Sequence, residues 1–346
     1  MKSWDVIIAG AGIIGVSLAL ELRERAATVL VLDRAEPGSE ASSAAAGMLA
    51  PADPETPELL HPLASAGARM FSAYVQKIES AAGIQVDFRR VGTIALMPES
   101  TALPEYRGLS ATELQRLEPS IRPSGHSAYL VREDSVDPNL LMRAALVAAR
   151  TLGIEVLGHT AVTEIRERGD AVEVVTQTET FSAASVVDCR GAWAGAPVRP
   201  RKGQMLYVLP EAALLQHVLR TPEAYVVPRS SGKILIGATV EDTGFDKSVN
   251  SSAIRQLLQN AGKYLPELFS AHITHSWAGL RPGTPDDLPI IGPTDKPRIF
   301  AATGHFRNGI LLAPVTAQIM ADLVLGQPSP VDISAFAPSR FRTTRE

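Results

Sequence analysis

The stretch DVIIAGAGIIGVSLALELRERAATVLVLDR, residues 5–34, decides the fold of this chain. Residues 5–9 are apolar and β-branched, which predicts a strand, and residues 13–25 carry apolar side chains at helical spacing. Residues 28–32 predict a second strand, which ends in Asp33. The turn between the first strand and the helix has glycines in G-x-G-x-x-G spacing: Gly10, Gly12 and Gly15. Such glycines permit a tight turn and the close approach of a pyrophosphate, and the acid can hold a ribose, so the stretch predicts a dinucleotide-binding unit.

A second informative stretch, ATGHFRNGILLAP at residues 302–314, lies near the other end of the chain. A Gly-rich turn that carries His305, Arg307 and Asn308 runs directly into an apolar periodic segment, residues 310–325. Free backbone N–H groups and a positive helix end are therefore expected to face a ligand above the turn. The N1/O2 edge of a reduced flavin carries the negative charge that such a helix start stabilises. The alternative is a loop followed by an ordinary core helix.

The composition is that of an ordinary globular chain and narrows the classes of function. Of 346 residues, 45% are hydrophobic and 20% are charged, and the formal net charge is −4. This charge provides no basic face for nucleic acid, and no apolar run reaches the roughly 18 residues that a membrane span needs. The single cysteine, Cys189, excludes an intrachain disulfide framework and a CxxC metal or redox site. We therefore expect a cytoplasmic protein with no metal site, no nucleic-acid partner and no membrane anchor, and a homo-oligomer is left open.

Parallel and antiparallel segments alternate along the chain. Strand–helix segments typical of a parallel sheet recur in three separated blocks, and the segments between them predict antiparallel strands. We therefore predict an α/β fold in which a Rossmann-like dinucleotide-binding domain is interleaved with an antiparallel-sheet substrate domain, with the substrate site between them. The predicted boundaries are 1–83, 133–201 and 273–346 for the first domain, and 84–132 and 202–272 for the second.

Local patterns predict several individual elements. Residues 63–83 and 250–265 predict helices, and Asp137 followed by Pro138 predicts an N-cap and the start of a further helix. The Pro-rich segment 51–62 is predicted to lack regular structure and to cover a site as a lid.

Four stretches together resemble the D-amino-acid-oxidase family of FAD enzymes. They are the G-x-G-x-x-G turn with Asp33-Arg34, SSAAAGML at 42–49, WAGLRPGTPDDLPIIG at 277–292 and ATGHFRNGILLAP at 302–314. Within that family the chain is most similar to bacterial glycine oxidases associated with making the thiazole of thiamine, over essentially its whole length. The resemblance implies that the dinucleotide is FAD, and the position of Cys189 away from the expected flavin contacts predicts that the FAD is bound non-covalently. It also implies oxidative deamination of glycine or another small amino acid, or a secondary amine acid, with O₂ reduced to peroxide. The stretch 219–223 departs from the family pattern beside the implied substrate site.

The resemblance also implies which residues meet the cofactor. The pyrophosphate would lie on the glycine turn, the adenosine end on Asp33 and Arg34, and the adenine on the backbone of Val162. The remaining contacts would line the flavin, with the turn after residue 303 at its pyrimidine edge. The full implied set is Gly10, Gly12, Ile13, Ile14, Gly15, Asp33, Arg34, Ser42, Ser43, Ala46, Gly47, Met48, Val162, Gly191, Trp193, Gly304, His305, Arg307, Asn308, Gly309 and Ile310.

Three residues are implied to act on the substrate. Arg281 resembles the family arginine that clamps the substrate carboxylate, Tyr225 would donate its hydroxyl to the same group, and Arg307 would guard the entrance. A planar guanidinium can meet a carboxylate with two parallel hydrogen bonds, which agrees with this role. If the amine binds neutral and a hydride passes from Cα to flavin N5, no side-chain base is required. The structural alternatives are an ion pair of Arg281 with Asp286 or Asp287 and a packed aromatic ring at Tyr225.

The sequence leaves the electron acceptor and the exact substrate open. The alternatives are a dehydrogenase that passes electrons to a quinone or protein, an oxidase of a larger N-substituted amino acid, and a flavoprotein of binding or assembly function. A nicotinamide enzyme is disfavoured because only one dinucleotide fingerprint is present. We expect a structural role for His305, a solvated turn at Asp286 and Asp287, and a buried Cys189 away from the flavin ring.

Overall fold

The computed structural model describes residues 3–98 and 106–341. The helices in this part of the chain are α1 (Ile13–Glu24), α2 (Ala41–Ala44), α3 (His61–Ala82), α4 (Ala111–Leu117), α5 (Pro138–Thr151), α6 (Ser251–Gly262) and α7 (Gly309–Val324). The strands of the first half are β1 (Ser3–Ala9), β2 (Val29–Leu32), β3 (Met48–Leu49), β4 (Phe88–Arg89), β5 (Thr93–Met97), β6 (Arg107–Leu109), β7 (Ser127–Val131), β8 (Asp134–Val136), β9 (Glu155–Leu157) and β10 (Val162–Arg168). Those of the second half are β11 (Ala171–Thr176), β12 (Thr180–Asp188), β13 (Arg199–Leu209), β14 (Val218–Arg220), β15 (Tyr225–Pro228), β16 (Ile234–Gly237), β17 (His272–Gly283), β18 (Ile290–Pro293) and β19 (Ile299–Thr303).

The first sheet contains the predicted dinucleotide-binding unit. Its strand order is β10-β11-β12-β1-β2-β9, with β19 beside the end of β12 and β18 paired to β19. β1 runs parallel to both β12 and β2, and α1 connects β1 to β2, which is the Rossmann βαβ arrangement. The helices α1 and α7 bury apolar side chains, among them Leu18 and Leu312, in one core with this sheet. The predicted Rossmann-like part of the fold is confirmed.

The second sheet has the strand order β17-β13-β16-β15-β14-β5-β7-β6. Every neighbouring pair is antiparallel except β14 and β5. One face packs under α6, where Leu257 and Ala261 join Leu206 and Ile236 in a second core. The predicted antiparallel sheet is confirmed, and the single parallel pair is an addition to it.

The chain passes between the two sheets more than once. Strands β1 and β2 belong to the first sheet, β5 to β7 to the second, β9 to β12 to the first, β13 to β17 to the second, and β18 and β19 to the first. This order agrees with an interleaved architecture, and the residue boundaries of the two domains stay a prediction. Residues 1–2 and 342–346 of the predicted first domain, and 99–105 of the second, lie outside the described residues.

Several elements differ from the sequence predictions. The helix α3 begins at His61, so the prediction that the whole of segment 51–62 lacks regular structure is wrong. Pro62 lies in the first helical turn, where its missing N–H costs no hydrogen bond, and a 3₁₀ turn at Glu58–Leu60 precedes the helix. The short strands β6, β14 and β18 have only three or four residues each, which is too few for an alternating pattern to be recognised.

The predicted N-cap at Asp137 is confirmed. Asp137 caps α5, since its Oδ1 accepts a hydrogen bond from the N–H of Asn139 at 2.8 Å. The chain of β10 and β11 reverses at Gly169, which has a φ of 59°. Among the helices of residues 3–98 and 106–341, none combines the length and apolar character needed to cross a membrane.

Candidate active site

A cavity of about 790 Å³ lies between the two sheets. This volume falls within the range of roughly 300 to 1,000 Å³ that is usual for ligand pockets. The cavity brings together most of the residues that the sequence predicts for cofactor and substrate. Those in its wall are Gly10, Gly12, Ile13, Ile14, Asp33, Arg34, Ser42, Ala46, Gly47, Met48, Val162, Gly191, Trp193, Tyr225, Arg281, His305, Arg307, Asn308, Gly309 and Ile310.

Three of the residues predicted to contact the cofactor lie outside the cavity wall, and each contacts other parts of the protein instead. A Cβ on Gly15 would lie 2.0 Å from the carbonyl oxygen of Gly10, so this glycine lets α1 approach the turn closely. Gly304 has a φ of 73°, and a Cβ there would meet Thr284 Cγ2 at 2.7 Å. The Ser43 hydroxyl donates to the Gly38 carbonyl at 2.6 Å. These three residues shape the site from behind its surface.

The glycine turn at one end of the cavity is a cradle that a side chain would fill. Gly10 has a φ of 113°, and a Cβ on it would lie 2.3 Å from the carbonyl oxygen of Cys189. Gly12 is the N-cap of α1 and has no side chain to cap the helix. The first N–H of that helix, on Ile13, donates to Ser42 Oγ at 2.8 Å. The positive start of α1 therefore opens onto the cavity beside bare backbone, which suits a pyrophosphate.

Asp33 follows the end of β2 at the edge of this cradle. Its two carboxylate oxygens accept from the N–H groups of Ala11 at 2.7 Å and Ala35 at 2.9 Å. Burial raises the pKa of Asp33, although these two hydrogen bonds act in the opposite direction. Beside it, the guanidinium of Arg34 lies 4.6 Å from the ring centroid of Trp193. The carboxylate and the stacked pair lie where a ribose and an adenine would be expected.

The start of α7 forms the wall at the other end of the cofactor region. Asn308 is its N-cap and makes no side-chain cap hydrogen bond, so the helix presents its first N–H groups without a side-chain partner. His305 is buried in the preceding turn, and its Nε2 lies 3.2 Å from Thr316 Oγ1. Burial lowers the pKa of His305 to about 3. The ring is therefore neutral near pH 7, which favours the structural role over proton transfer.

Arg281 and Tyr225 meet on the cavity face of the second sheet. Arg281 Nη1 donates to the carbonyl oxygen of Thr239 at 3.1 Å, and among the described residues no carboxylate pairs with this guanidinium. Burial raises the pKa of Tyr225, and the nearby guanidinium of Arg281 lowers it by less. An unpaired cation beside a neutral hydroxyl donor is an arrangement that suits a carboxylate ligand.

Arg307 lies at the exposed mouth of the cavity and forms an ion pair with Glu55. Glu55 belongs to the Pro-rich segment, of which residues 53–57 all line the cavity. The segment thus covers part of the mouth and is tied to the turn before α7. The prediction that it is a mobile lid stays a prediction.

Asp286 and Asp287, in the turn after Arg281, were both expected to be solvated, and only one of them is. Asp286 lies in an exposed turn and pairs with Arg340 at 2.8 Å rather than with Arg281. Asp287 instead has a φ of 56° and lines the cavity, where its Oδ1 is buried and has no hydrogen-bond partner in the described structure. A solvated turn is therefore wrong for Asp287, because the packing at the cavity wall encloses its Oδ1. A buried oxygen without a donor fits a site that a bound group completes.

The sequence does not predict a charged cluster at the cavity wall, where Arg220 and Asp53 lie. Arg220 forms an ion pair with Glu133, donates to Tyr106 Oη at 3.0 Å and lies 3.6 Å from Asp53. The side chains of Arg220 and Glu133 are only 13% and 1% exposed. Arg220 lies in the stretch 219–223 that departs from the family pattern, and this departure is the only sequence signal for the cluster.

Cys189 contributes to the cavity wall at the glycine turn, and its predicted burial is confirmed. Its thiol is buried, and burial raises its pKa well above the usual value. The thiol is therefore protonated at neutral pH and is a weak nucleophile.

Comparisons of the sequence and of the structure with known proteins point to the same family. A family model described as FAD dependent oxidoreductase (DAO) matches residues 5–323. The chain is 34% identical to a glycine oxidase of Bacillus licheniformis, over 98% of each protein. It is 36% identical to a bifunctional ThiO/ThiG protein of Trichormus variabilis, of which it spans only 55%. The crystal structure of glycine oxidase from Geobacillus kaustophilus superposes with a TM-score of 0.94 at 31% identity, covering 99% of this chain and all of that one.

Proposed function

Because the chain belongs to the DAO family of FAD-dependent oxidoreductases, we propose that it oxidatively deaminates glycine or another small amino acid. The observation that carries this proposal is the unpaired guanidinium of Arg281 beside the Tyr225 hydroxyl in the cavity wall. An α-amino acid offers the carboxylate that such a pair binds. The similarity to glycine oxidases of two organisms supports the same substrate class.

The residues of the cavity fit FAD. The glycine turn and the start of α1 would hold the pyrophosphate, Asp33 the ribose, and the start of α7 the pyrimidine edge of the flavin. When bound, FAD supplies the acceptor for the hydride that leaves the substrate Cα, and the resulting imine is hydrolysed by water.

The protein contributes binding and orientation to this reaction. Arg281 would hold the carboxylate with two N–H groups, and Tyr225 would donate a third hydrogen bond, which fixes the direction of the Cα–H bond. A substrate amine that binds neutral has a free electron pair to form the imine, so no side-chain base is needed. His305, which is buried against Thr316 and has a lowered pKa, is a poor proton acceptor, and this agrees with a reaction that needs no base.

Small substrates are expected to be preferred over bulky ones. The cavity near the second sheet is lined by Ala46, Met48 and Tyr225. Two ion pairs, Arg220 with Asp53 and Arg307 with Glu55, connect the cavity wall to the Pro-rich segment that covers the mouth. In an anaerobic panel, glycine, sarcosine and D-alanine should bleach the flavin faster than bulky amino acids do at the same concentration. In turnover with an electron acceptor, the small substrates should have the higher kcat/KM. Glycolate, which has the carboxylate but no amine, is the matched control and should leave the flavin oxidised. A clearly higher kcat/KM for a large N-substituted amino acid would contradict the preference.

We propose O₂ as the electron acceptor. One peroxide formed for each substrate oxidised in air would support an oxidase. Rapid anaerobic bleaching followed by slow reoxidation in air, with fast transfer to a quinone, would favour the dehydrogenase alternative instead. We also propose that the reaction contributes to the synthesis of the thiamine thiazole, and the similarity to the ThiO/ThiG protein supports this.

FAD is expected to leave the protein when the fold is lost. The one cysteine near the cofactor region has a buried thiol with a raised pKa, and His305 is buried against Thr316, so neither is suited to a covalent bond to the flavin ring. Acid precipitation should therefore leave the yellow colour in the supernatant. Colour that stays in the washed pellet would show a covalent link.

A further inference from the structure

Gly203 lies on the cavity face of the second sheet, diagonally across from Arg281. In the ladder between β13 and β17, Gly203 pairs with Gly279, and Arg281 pairs with Arg201 two residues further along. Because side chains alternate between the faces of a strand, positions 203 and 281 share one face. The long side chain of Arg281 can therefore lie back across the bare backbone at Gly203.

The guanidinium occupies the space that any side chain at position 203 would need. A Cβ built on Gly203 would lie 2.1 Å from Arg281 Nη1, 2.4 Å from Nη2 and 2.5 Å from Cζ. The backbone gives no separate reason for glycine, because Gly203 is not in the left-handed region. What requires a glycine at this position is the room for the guanidinium.

The guanidinium is also held by Thr239, through the same nitrogen that lies nearest to Gly203. Its carbonyl oxygen accepts from Arg281 Nη1 at 3.1 Å. Thr239 is itself fixed, since its Oγ1 accepts from the Gln204 N–H at 2.9 Å and donates to Glu241 Oε1 at 2.5 Å. The guanidinium thus rests on the bare strand at Gly203 and is held there by a fixed carbonyl group.

Tyr225 shows the same relation to a second glycine. Tyr225 pairs directly with Gly237 in the ladder between β15 and β16. A Cβ on Gly237 would lie 2.6 Å from Tyr225 Cε2 and 2.7 Å from its hydroxyl oxygen. Both groups assigned to the substrate carboxylate therefore rest on strand positions without a side chain.

We propose that Gly203 is a positioning residue that sets where the Arg281 guanidinium meets the substrate carboxylate. With any larger residue at 203, the guanidinium is displaced from the sheet surface and loses its hydrogen bond to Thr239. This role rests on the proposed function, because it acts through the carboxylate site of Arg281.

The variant Gly203→Ala tests the role. The atoms in contact are the far end of a flexible side chain, so the guanidinium moves aside and the protein should fold and keep FAD. A displacement of about 1 Å at a catalytic site costs on the order of 10²-fold in rate, so kcat/KM for glycine should fall by about that factor. The matched control is Gly108→Ala in β6 of the same sheet, where a Cβ would meet nothing within 4 Å and activity should be unchanged.

A binding measurement separates this role from a general structural effect. Acetate, a carboxylate without an amine, should perturb the flavin absorption of the wild-type protein, and its Kd should rise about tenfold or more in Gly203→Ala. The double variant Gly203→Ala/Arg281→Ala should match Arg281→Ala alone, because a positioning residue has no effect once its partner is gone.

The outcomes distinguish the two proposals. If Arg281→Ala leaves acetate binding and kcat/KM intact, the proposed carboxylate site is wrong and the role of Gly203 with it. If Arg281→Ala is impaired and Gly203→Ala is normal, only the positioning role is overturned. Additive losses in the double variant, or a Gly203→Ala protein that fails to fold or hold FAD, would also overturn it, since the contact would then extend beyond the guanidinium.

Discussion

Replacing Arg281 with alanine should lower kcat/KM for the amino-acid substrate by on the order of 10²- to 10³-fold. Removing one partner of a desolvated ion pair costs about 3 to 5 kcal/mol, and each 1.4 kcal/mol corresponds to about tenfold in kcat/KM. FAD should stay bound, because Arg281 is not among the residues expected to hold the cofactor. Steady-state kinetics together with the flavin spectrum measure both effects.

Two further variants make this result specific. Arg281→Lys should recover little activity, since a point ammonium cannot reproduce the two parallel hydrogen bonds. Arg201→Ala removes the arginine directly opposite Arg281 in the ladder, which pairs with Asp242 and lies outside the cavity wall, and it should remain active. A well-folded, yellow Arg281→Ala protein with near-normal kcat/KM would exclude the assignment and move the carboxylate site to Arg307.

Replacing Arg220 with methionine should lower the free energy of unfolding by about 3 to 5 kcal/mol, because Glu133 is then left buried without its cation. Urea unfolding of the FAD-bound protein measures the change. Adding Glu133→Gln to Arg220→Met should restore much of the loss, since the uncompensated charge is removed.

Arg168 provides the matched surface control for that variant. It pairs with Glu173 at 3.2 Å, and its side chain is 66% exposed. Arg168→Met should cost no more than about 1 kcal/mol, as is usual for exposed pairs. An Arg220→Met protein as stable as this control would show that the Arg220–Glu133 pair contributes no more than a solvated one.

The sequence predicts the parts of this molecule that local patterns specify. Strand β1, the glycine turn and α1 follow from spacing within residues 5–34, and Asp137 predicts the start of α5 because capping needs only neighbouring residues. Beyond the glycine turn, Asp33 and the turn before α7, the residues of the cofactor region are predicted only by resemblance, since their shared cavity depends on the packing of distant segments.

Contacts between distant strands could not be predicted in the same way. Arg220 and Glu133 are 87 residues apart, and no periodic pattern links them. The contact of Gly203 with Arg281 depends on the register of β13 against β17, and one residue of slip would place the glycine on the other face. Glycine in a strand signals a close approach without naming the group that approaches.

The buried ring of His305 makes the free energy of unfolding depend on pH. In an unfolded chain the ring takes up a proton near its ordinary pKa of 6.5, whereas in the folded protein the pKa is about 3. Between these two values the unfolded chain holds the extra proton, so acidification favours unfolding by about 1.4 kcal/mol per pH unit from this side chain alone. Above pH 6.5 the ring is neutral in both states and the effect vanishes. Unfolding at mildly acidic pH is thus accompanied by proton uptake at the turn that leads into α7.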